Sequence, residues 1–238
     1  MIVISRKRIS IIVLCILIGI ISFTYKNNNL ASSSVKETAS TPASGKVIII
    51  DAGHGKPDEG AESSNGTTEA ETNLKIALKV QNLLEENGST VILTRSDENA
   101  IYDLDKETLR QKKVSDIRNR VKIGNNSSAD IFVSIHLNKI PQQEYSGWQC
   151  FYNSKNEKSI VLAKKLQSNL NDAIQKENKR VAMKLNSVYI MKHVEIPISI
   201  VECGFLSNPE EEKELLNDEY QNKLAWGIFN GIIKYFNE

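Results

Sequence analysis

The sequence has almost no net charge, and cysteine and histidine are scarce, with three of each in 238 residues. The 30 basic and 29 acidic side chains leave a net charge of +1, so the chain lacks the strongly basic surface typical of nucleic-acid binding. Cys150 and Cys203 lie in apolar stretches, where we predict buried free thiols, although the sequence does not exclude a disulfide bond between them. The absence of an internal repeat or a second folded module predicts a single folded domain.

The N-terminus combines a basic cluster with a long apolar run. Arg6, Lys7 and Arg8 precede a predominantly apolar segment at 9–25, whose 17 residues are at the short limit for a membrane-spanning helix. No clear cleavage site follows, so an uncleaved anchor is favoured over a cleaved signal peptide. Positive charge before the segment places the remainder outside the cytoplasm. We therefore predict a signal or anchor segment at 1–26 and an extracytoplasmic protein, either attached to the membrane by this segment or secreted.

A polar, serine-rich stretch at 27–45 predicts a flexible linker, and residues 46–238 alternate between strand and helix patterns. Strands are predicted at 47–50, 90–94, 130–136, 147–152, 187–191 and 197–202. Helices are predicted from Thr68, over 113–125 and 159–177, and from Pro209 towards the C-terminus. This alternation indicates an α/β fold with three layers, α/β/α, around a twisted, mostly parallel sheet of about six strands.

Two of the three histidines follow apolar strands. His54 lies between two glycines directly after the strand at 47–50, and glycines allow the backbone to turn sharply and approach a ligand. His136 ends the strand at 130–136. Each histidine alone is consistent with a structural role. Because ligands in open α/β sheets collect beyond the carboxyl ends of strands, the placement of the pair indicates a metal site.

Two glutamates are placed to join these histidines. Glu69 lies in the first turn of a predicted helix, where it either compensates the helix dipole or completes a His₂Glu zinc set with one open position. Glu202 ends the strand at 197–202, where a buried carboxylate is costly unless it is paired or used. It serves either in a salt bridge, with Arg120 as the candidate partner, or as a general base. Asn73 shares a helix face with Glu69 and is a candidate to orient it.

Five segments carry motifs that occur together, and in the same order, in one known family. They are Ile50-Asp-Ala-Gly-His-Gly55, Glu69 with Asn73-Leu74, Arg120 before Asn125, Ser134-Ile-His-Leu-Asn138, and Val201-Glu-Cys-Gly-Phe-Leu-Ser-Asn208. Over 46–238 the chain resembles the zinc-dependent N-acetylmuramoyl-L-alanine amidases of the type 3 amidase family. The resemblance implies that His54, Glu69 and His136 bind one Zn²⁺ and that Glu202 is the catalytic glutamate. It also implies supporting roles, towards ligands or substrate, for Asn73, Arg120 and Asn138.

The same resemblance implies an activity and a location. The expected reaction is hydrolysis of the amide between N-acetylmuramic acid and L-alanine in peptidoglycan. A single catalytic domain at 46–238 without a wall-binding module resembles the sporulation amidases of the spore cortex. This implies a step toward muramic δ-lactam and a place at the forespore envelope, and it leaves room for an activating protein partner.

Two alternatives stay open. One is a catalytically inactive peptidoglycan-binding module of the same fold, and the other is a zinc carboxypeptidase acting on stem peptides. An inactive module is expected to have lost a metal ligand or the base. The three expected ligands, His54, Glu69 and His136, and the expected base, Glu202, are all present here, which favours an enzyme.

Overall fold

The computed structural model describes residues 41–238. The predicted signal or anchor segment at 1–26 and residues 27–40 of the predicted linker lie outside the described residues. Within 41–238, no helix is both long enough and apolar enough to cross a membrane. Residues 41–45, at the end of the predicted linker, pack onto the fold, since the Thr41 hydroxyl donates to the Asn87 carbonyl at 3.0 Å and Ala43 is fully buried.

The described chain forms six strands and six helices. The strands are β1 (Val47–Ala52), β2 (Thr90–Leu93), β3 (Ile131–Asn138), β4 (Gln149–Tyr152), β5 (Met183–Lys184) and β6 (Ile198–Phe205). The helices are α1 (Glu69–Glu86), α2 (Leu109–Asn126), α3 (Glu157–Ile174), α4 (Tyr189–His193), α5 (Pro209–Leu216) and α6 (Asp218–Phe236). Side chains cap most of these helices, as Thr68 does for α1 by accepting from the Glu71 N–H.

The strands form one sheet in the order β2-β1-β3-β6-β4-β5. Every neighbouring pair is parallel except β6 and β4, which confirms the predicted mostly parallel sheet. β1 and β3 are mostly apolar because both of their faces are buried. Since β1, β3 and β6 run in the same direction side by side, their carboxyl ends meet at one edge of the sheet.

Helices cover both faces of this sheet, which gives the three predicted layers. On one face, α1, α3 and α6 bury Ile76, Leu162 and Ile228 against the strands. On the other face, Val121 of α2 and Met191 of α4 pack on a smaller apolar cluster. The fully buried side chains on both sides hold β1 and β3 rigidly, and these two strands carry the loops of the site described below.

The strand predicted at 187–191 is wrong, because residues 189–193 form helix α4 and the edge strand β5 lies earlier, at Met183–Lys184. The segment is short and rich in β-branched and aromatic residues, for which local pattern does not separate strand from helix. Burial decides between them. Ile190, Met191 and Val194 are buried together, as on one face of a helical turn, whereas Val188 is 36% exposed.

The helix predicted from Pro209 is interrupted once. It starts as expected, with Asn208 capping α5, but it ends at Leu216, and Asn217 caps a separate helix α6 by accepting from the Tyr220 N–H. Asparagine competes with helical hydrogen bonding through its side chain, which favours a break at this position. The predicted inner face of α6 is buried, as Leu224, Ile228 and Ile232 are fully inaccessible.

Cys150 and Cys203 are buried free thiols, as predicted. They lie on the paired strands β4 and β6. Burial raises the pKa of both thiols, so neither is present as the reactive thiolate at neutral pH.

Candidate metal centre and active site

His54 follows β1 in a sharply turned loop. Its φ of +62° lies in the left-handed region that residues other than glycine rarely adopt. Arg120 holds this turn by donating to the carbonyl oxygens of Ala52 at 2.7 Å and of His54 at 2.6 Å. The turn brings the imidazole to Glu69, with 3.4 Å between His54 Nε2 and Glu69 Oε2. Backbone strain of this kind is concentrated at functional sites.

Glu69 is the first residue of α1 and is only 4% exposed. Its Oε2 accepts from the Ala61 N–H at 2.9 Å, and its Oε1 accepts from the Leu137 N–H at 3.1 Å. Asn73, one turn further along α1, donates through Nδ2 to the Gly53 carbonyl at 3.2 Å and to Glu69 Oε1 at 3.5 Å. These contacts fix the carboxylate in one orientation, which dipole compensation alone does not require.

His136, near the end of β3, completes a cluster of three. Its Nδ1 lies 2.9 Å from Glu69 Oε1, and its ring meets that of His54 edge-on with centroids 5.1 Å apart. One donor atom from each of His54, Glu69 and His136 lies within 4.8 Å of the other two. Two imidazoles and one carboxylate form a ligand set of catalytic zinc sites, with a position left for water or substrate. The donor set therefore fits a single zinc ion.

The charges of this cluster depend on one another. Burial disfavours a charged His54 ring, but hydrogen bonds to Asp58 and Glu69 outweigh burial and raise the pKa of His54 to about 9. Burial also opposes ionisation of Glu69, yet hydrogen bonds with His136 and His54 lower the pKa of its carboxyl. Since a metal ion must displace the proton on His54, metal binding is expected to weaken as the pH falls.

Asp58 belongs to the site, although the sequence analysis did not identify it. Its Oδ2 lies 3.2 Å from His54 Nδ1, and its Oδ1 lies 2.8 Å from Lys113 Nζ. Carboxylates in this position fix the orientation and tautomer of a metal-binding histidine. The available signal was an aspartate four residues after His54 in the same glycine-containing loop.

Glu202 lies beside the cluster on β6. It is directly opposite His136 in the parallel pairing of β3 and β6, so both side chains project from the same face of the sheet. Its Oε2 is buried and has no hydrogen-bond partner among the described residues. Burial, reinforced by the charge of Glu69, raises the pKa of Glu202 to about 7. A carboxyl group with this pKa can take up and release a proton near neutral pH.

Replacement of Glu202 by glutamine is expected to stabilise the metal-free protein, and only at higher pH. The folded state holds this carboxyl at a pKa of about 7, above its ordinary 4.5. The folded state therefore binds the extra proton, and the free energy of unfolding falls as the pH rises between about 4.5 and about 7. Glutamine has no ionisable group, so the free energy of unfolding of Glu202→Gln does not fall in this way as the pH rises. Urea unfolding in the presence of a chelator, at pH 8 and at pH 4.5, measures the difference. Equal stability of variant and wild type at pH 8 would contradict the expectation.

His54, His136 and Glu202 line a cavity of about 320 Å³. This volume is at the lower end of the range for ligand-binding pockets. Further polar lining comes from Lys113, and apolar lining comes from Ile117 of α2 and from Val188 and Ile190 at α4. The short helix α4, which the sequence analysis missed, therefore supplies part of the cavity wall.

Arg120 does not pair with Glu202, so the salt bridge considered for these two residues is wrong. The guanidinium is 2% exposed and binds Asp51 at 2.5 Å and Asp116 at 2.8 Å. Burial opposes ionisation of Asp51, but the Arg120 charge lowers the pKa of its carboxyl. Asp51 is an acidic residue within the apolar strand β1, and this feature of the sequence indicated that a buried basic side chain pairs with it. Arg120 instead fixes the end of β1, on which the position of His54 depends.

Replacement of Arg120 by methionine is expected to lower the free energy of unfolding by about 3–5 kcal/mol, because it leaves the buried Asp51 carboxylate without its counter-charge. Urea denaturation at pH 7 measures this loss. Arg118→Met on the exposed face of the same helix is the matched control and should stay close to wild type. The double variant Asp51→Asn/Arg120→Met should recover part of the loss. An Arg120→Met protein as stable as the control would refute this account of the pair.

Asn138 is half-buried and is not part of the cavity lining. Its backbone carbonyl accepts from the Leu206 N–H at 2.8 Å. The pairing of β3 with β6 shifts register between His136 and Asn138. A role for the Asn138 side chain in binding substrate therefore stays a prediction.

Comparison with known proteins agrees with this geometry. Residues 48–234 match the Amidase_3 family, described as N-acetylmuramoyl-L-alanine amidase. The germination-specific N-acetylmuramoyl-L-alanine amidase of Bacillus subtilis is 38% identical over 199 residues, which cover 84% of this chain and 83% of that protein. The CwlD amidase of Clostridioides difficile, solved in complex with the GerS lipoprotein, is 43% identical with a TM-score of 0.79 over 81% of this chain and 98% of that one.

A third match extends the comparison beyond these proteins. The catalytic domain of CwlV, an N-acetylmuramoyl-L-alanine amidase from Bacillus (Paenibacillus) polymyxa var. colistinus, is 31% identical with a TM-score of 0.69. It aligns with 81% of this chain and 98% of that domain. The family match spans the three residues of the cluster and Glu202. The chain therefore belongs to the N-acetylmuramoyl-L-alanine amidase family of enzymes.

Proposed function

We propose that this protein uses one bound Zn²⁺ to hydrolyse the amide between N-acetylmuramic acid and L-alanine in peptidoglycan. The observation that carries the proposal is the cluster of His54, Glu69 and His136, whose two histidines line one cavity together with Glu202. Membership of the family indicates which bond is cleaved, and the His₂Glu donor set indicates that the metal is zinc.

Three side chains are proposed as the metal ligands, namely His54, Glu69 and His136. Zinc held there supplies a Lewis acid that polarises the amide carbonyl and makes water more acidic. Glu202 accepts the proton of the attacking water and delivers it to the departing amino group of L-alanine. Its position directly across from His136 on the neighbouring strand suits this transfer.

Other residues position this machinery. Asp58 holds the His54 ring from the nitrogen that faces away from Glu69, and Asn73 holds Glu69. Arg120 fixes the backbone carbonyl of His54. Apolar side chains of the wall, such as Ile117 and Val188, exclude water from one side of the cavity and so strengthen the electrostatic interactions within it.

The similarity to the germination-specific amidase of Bacillus subtilis supports a role linked to germination. We propose that this role is in the spore cortex, as a step toward muramic δ-lactam. We place residues 46–238 as the catalytic domain outside the cytoplasm, at the forespore envelope, with 1–26 as signal or anchor and 27–45 as a linker whose last residues, 41–45, pack onto the fold. The solved complex of the CwlD amidase with a lipoprotein supports a protein partner for this chain as well, and we propose that such a partner activates it.

Digestion of purified peptidoglycan by the full chain, with and without added zinc, tests the proposal by mass analysis of the products. Stem peptides with a free L-alanine amino terminus, released only with zinc, are the expected result. Cortex peptidoglycan and vegetative wall are compared, because faster release from cortex is expected.

Other products would identify the alternatives. Release of single terminal amino acids without whole stem peptides would replace the amidase with a carboxypeptidase. Binding to peptidoglycan without release, by a zinc-loaded protein and in the presence of a candidate lipoprotein partner, would favour an inactive binding module.

A further inference from the structure

We propose that Arg180 binds a carboxylate of the peptidoglycan stem peptide and thereby selects acidic stem peptides next to the scissile amide. The inference rests on the proposed function, because it names a substrate contact of the same site. The starting observation is a row of residues on neighbouring strands, which begins with His136 and Glu202 and continues across the sheet to Gln149.

This row runs along the carboxyl-end edge of the sheet. Gln149 on β4 is directly opposite Glu202 on β6, so the two side chains project from the same face. Gln149 Nε2 donates to the Val181 carbonyl at 2.9 Å, and Arg180 Nη1 donates to Gln149 Oε1 at 3.1 Å. Gln149 lies on the strand next to the one that carries Glu202, about 5 Å away, so Arg180, which is hydrogen-bonded to Gln149, lies on the order of 10 Å from Glu202 itself.

The guanidinium of Arg180 is held in place by a backbone carbonyl and two aromatic rings, without a carboxylate partner among the described residues. Its Nε donates to the Ser146 carbonyl at 3.1 Å, and its Cζ lies 4.6 Å from the ring centroid of Phe205 and 5.9 Å from that of Tyr145. In the part of the chain that the structure describes, Arg180 forms no salt bridge and its Nη2 donates to no protein atom. An ordered arginine with a free donor is suited to bind a carboxylate.

Nearby charges are occupied in other ways. Lys113 and Arg120, which line the cavity, both form salt bridges with aspartates. Glu211 lies near Arg180, but its two carboxylate oxygens accept from the Gly147 and Phe205 N–H groups, each at 2.7 Å. Arg180 is therefore the cation at this edge that is available to a ligand.

The chemistry of the substrate points to the stem peptide. The carboxyl group of muramic acid is consumed in the scissile amide, so carboxylates close to that bond belong to the peptide. An extended chain spans about 3.3–3.6 Å per residue, so roughly 10 Å from the reacting amide corresponds to the second or third stem residue. Arg180 is thus placed to bind the carboxylate of one of these two residues.

The test measures kcat/KM of the zinc-loaded full chain on three soluble muramoyl-peptides. One carries free carboxylates on the second and third stem residues, and the others are amidated at one of these positions. Amidation of the bound carboxylate should lower kcat/KM of the wild type by about 10- to 100-fold. Arg180→Gln should show a similar loss on the free acid and no further loss on amidation. Lys179→Gln removes a charge from the adjacent, exposed residue and should behave as wild type.

The two amidated substrates identify which residue is bound. Equal rates of the wild type on all three substrates would overturn the inference, as would an Arg180→Gln variant that loses the same factor on each. If the wild type cleaves none of them, the proposed function fails, and calorimetric binding of the free stem peptides decides the inference separately. Equal affinity of wild type and Arg180→Gln for the acidic peptide would then refute it.

Discussion

Replacement of Glu202 by glutamine is expected to lower kcat/KM by about 100- to 10,000-fold while zinc stays bound, because the variant keeps all three ligands and loses only the general base. Glutamine matches glutamate in size, so the cavity and the position of His136 should not change. Release of stem peptides from peptidoglycan gives the rate, and zinc content after dialysis gives the occupancy.

Two observations would count against this role. A Glu202→Gln protein that hydrolyses at the wild-type rate would remove Glu202 from the reaction. Loss of zinc together with activity would instead make it a contributor to the metal site.

Replacement of His136 by alanine is expected to abolish both zinc binding and hydrolysis. The imidazole provides one of the three proposed ligands, and its Nδ1 lies 2.9 Å from Glu69 Oε1, so Glu69 also loses a partner. Residues that merely orient a ligand contribute 10- to 100-fold to metal affinity, so loss of a ligand should exceed about 100-fold. Metal analysis and competition with a chromophoric chelator measure the change.

His193→Ala is the matched control for His136→Ala. His193 is exposed on α4, where it stacks on Tyr189 with ring centroids 4.1 Å apart, and it lies outside the metal cluster. The control should bind zinc as tightly as wild type. A His136→Ala protein that retained stoichiometric zinc would show that the ligand set has been assigned incorrectly.

The residues that come together in the site were accessible from the sequence. His54 closely follows β1, and His136 and Glu202 lie in the second halves of β3 and β6; parallel strands bring such positions to one edge of the sheet. Glu69 was accessible for a different reason, because Thr68 marks the start of its helix. The parallel sheet itself followed from the alternation of strand and helix patterns.

Features that depend on long-range packing were not accessible in the same way. Helix α4 was predicted as a strand, because its local sequence does not show which of its side chains are buried. Its contacts with the smaller apolar cluster decide this, and they come from distant parts of the chain. Asp51 was not predicted as the partner of Arg120, since the two residues lie 69 positions apart in the chain. Asp58 was missed because its importance comes from its distance to His54 Nδ1, and a sequence does not give that distance.

The unpartnered Oε2 of Glu202 has a consequence for how this enzyme can change. Glutamate and glutamine codons differ at one nucleotide, so a single point mutation produces the Glu202→Gln protein. That protein is expected to be more stable at alkaline pH and to keep its fold and its metal. The proposed catalytic role of Glu202 thus comes at the expense of the stability of the metal-free protein at alkaline pH. A single nucleotide change is expected to give a variant that keeps the cavity and has largely lost hydrolysis. The same exchange offers a route to a reagent that captures peptidoglycan without cutting it.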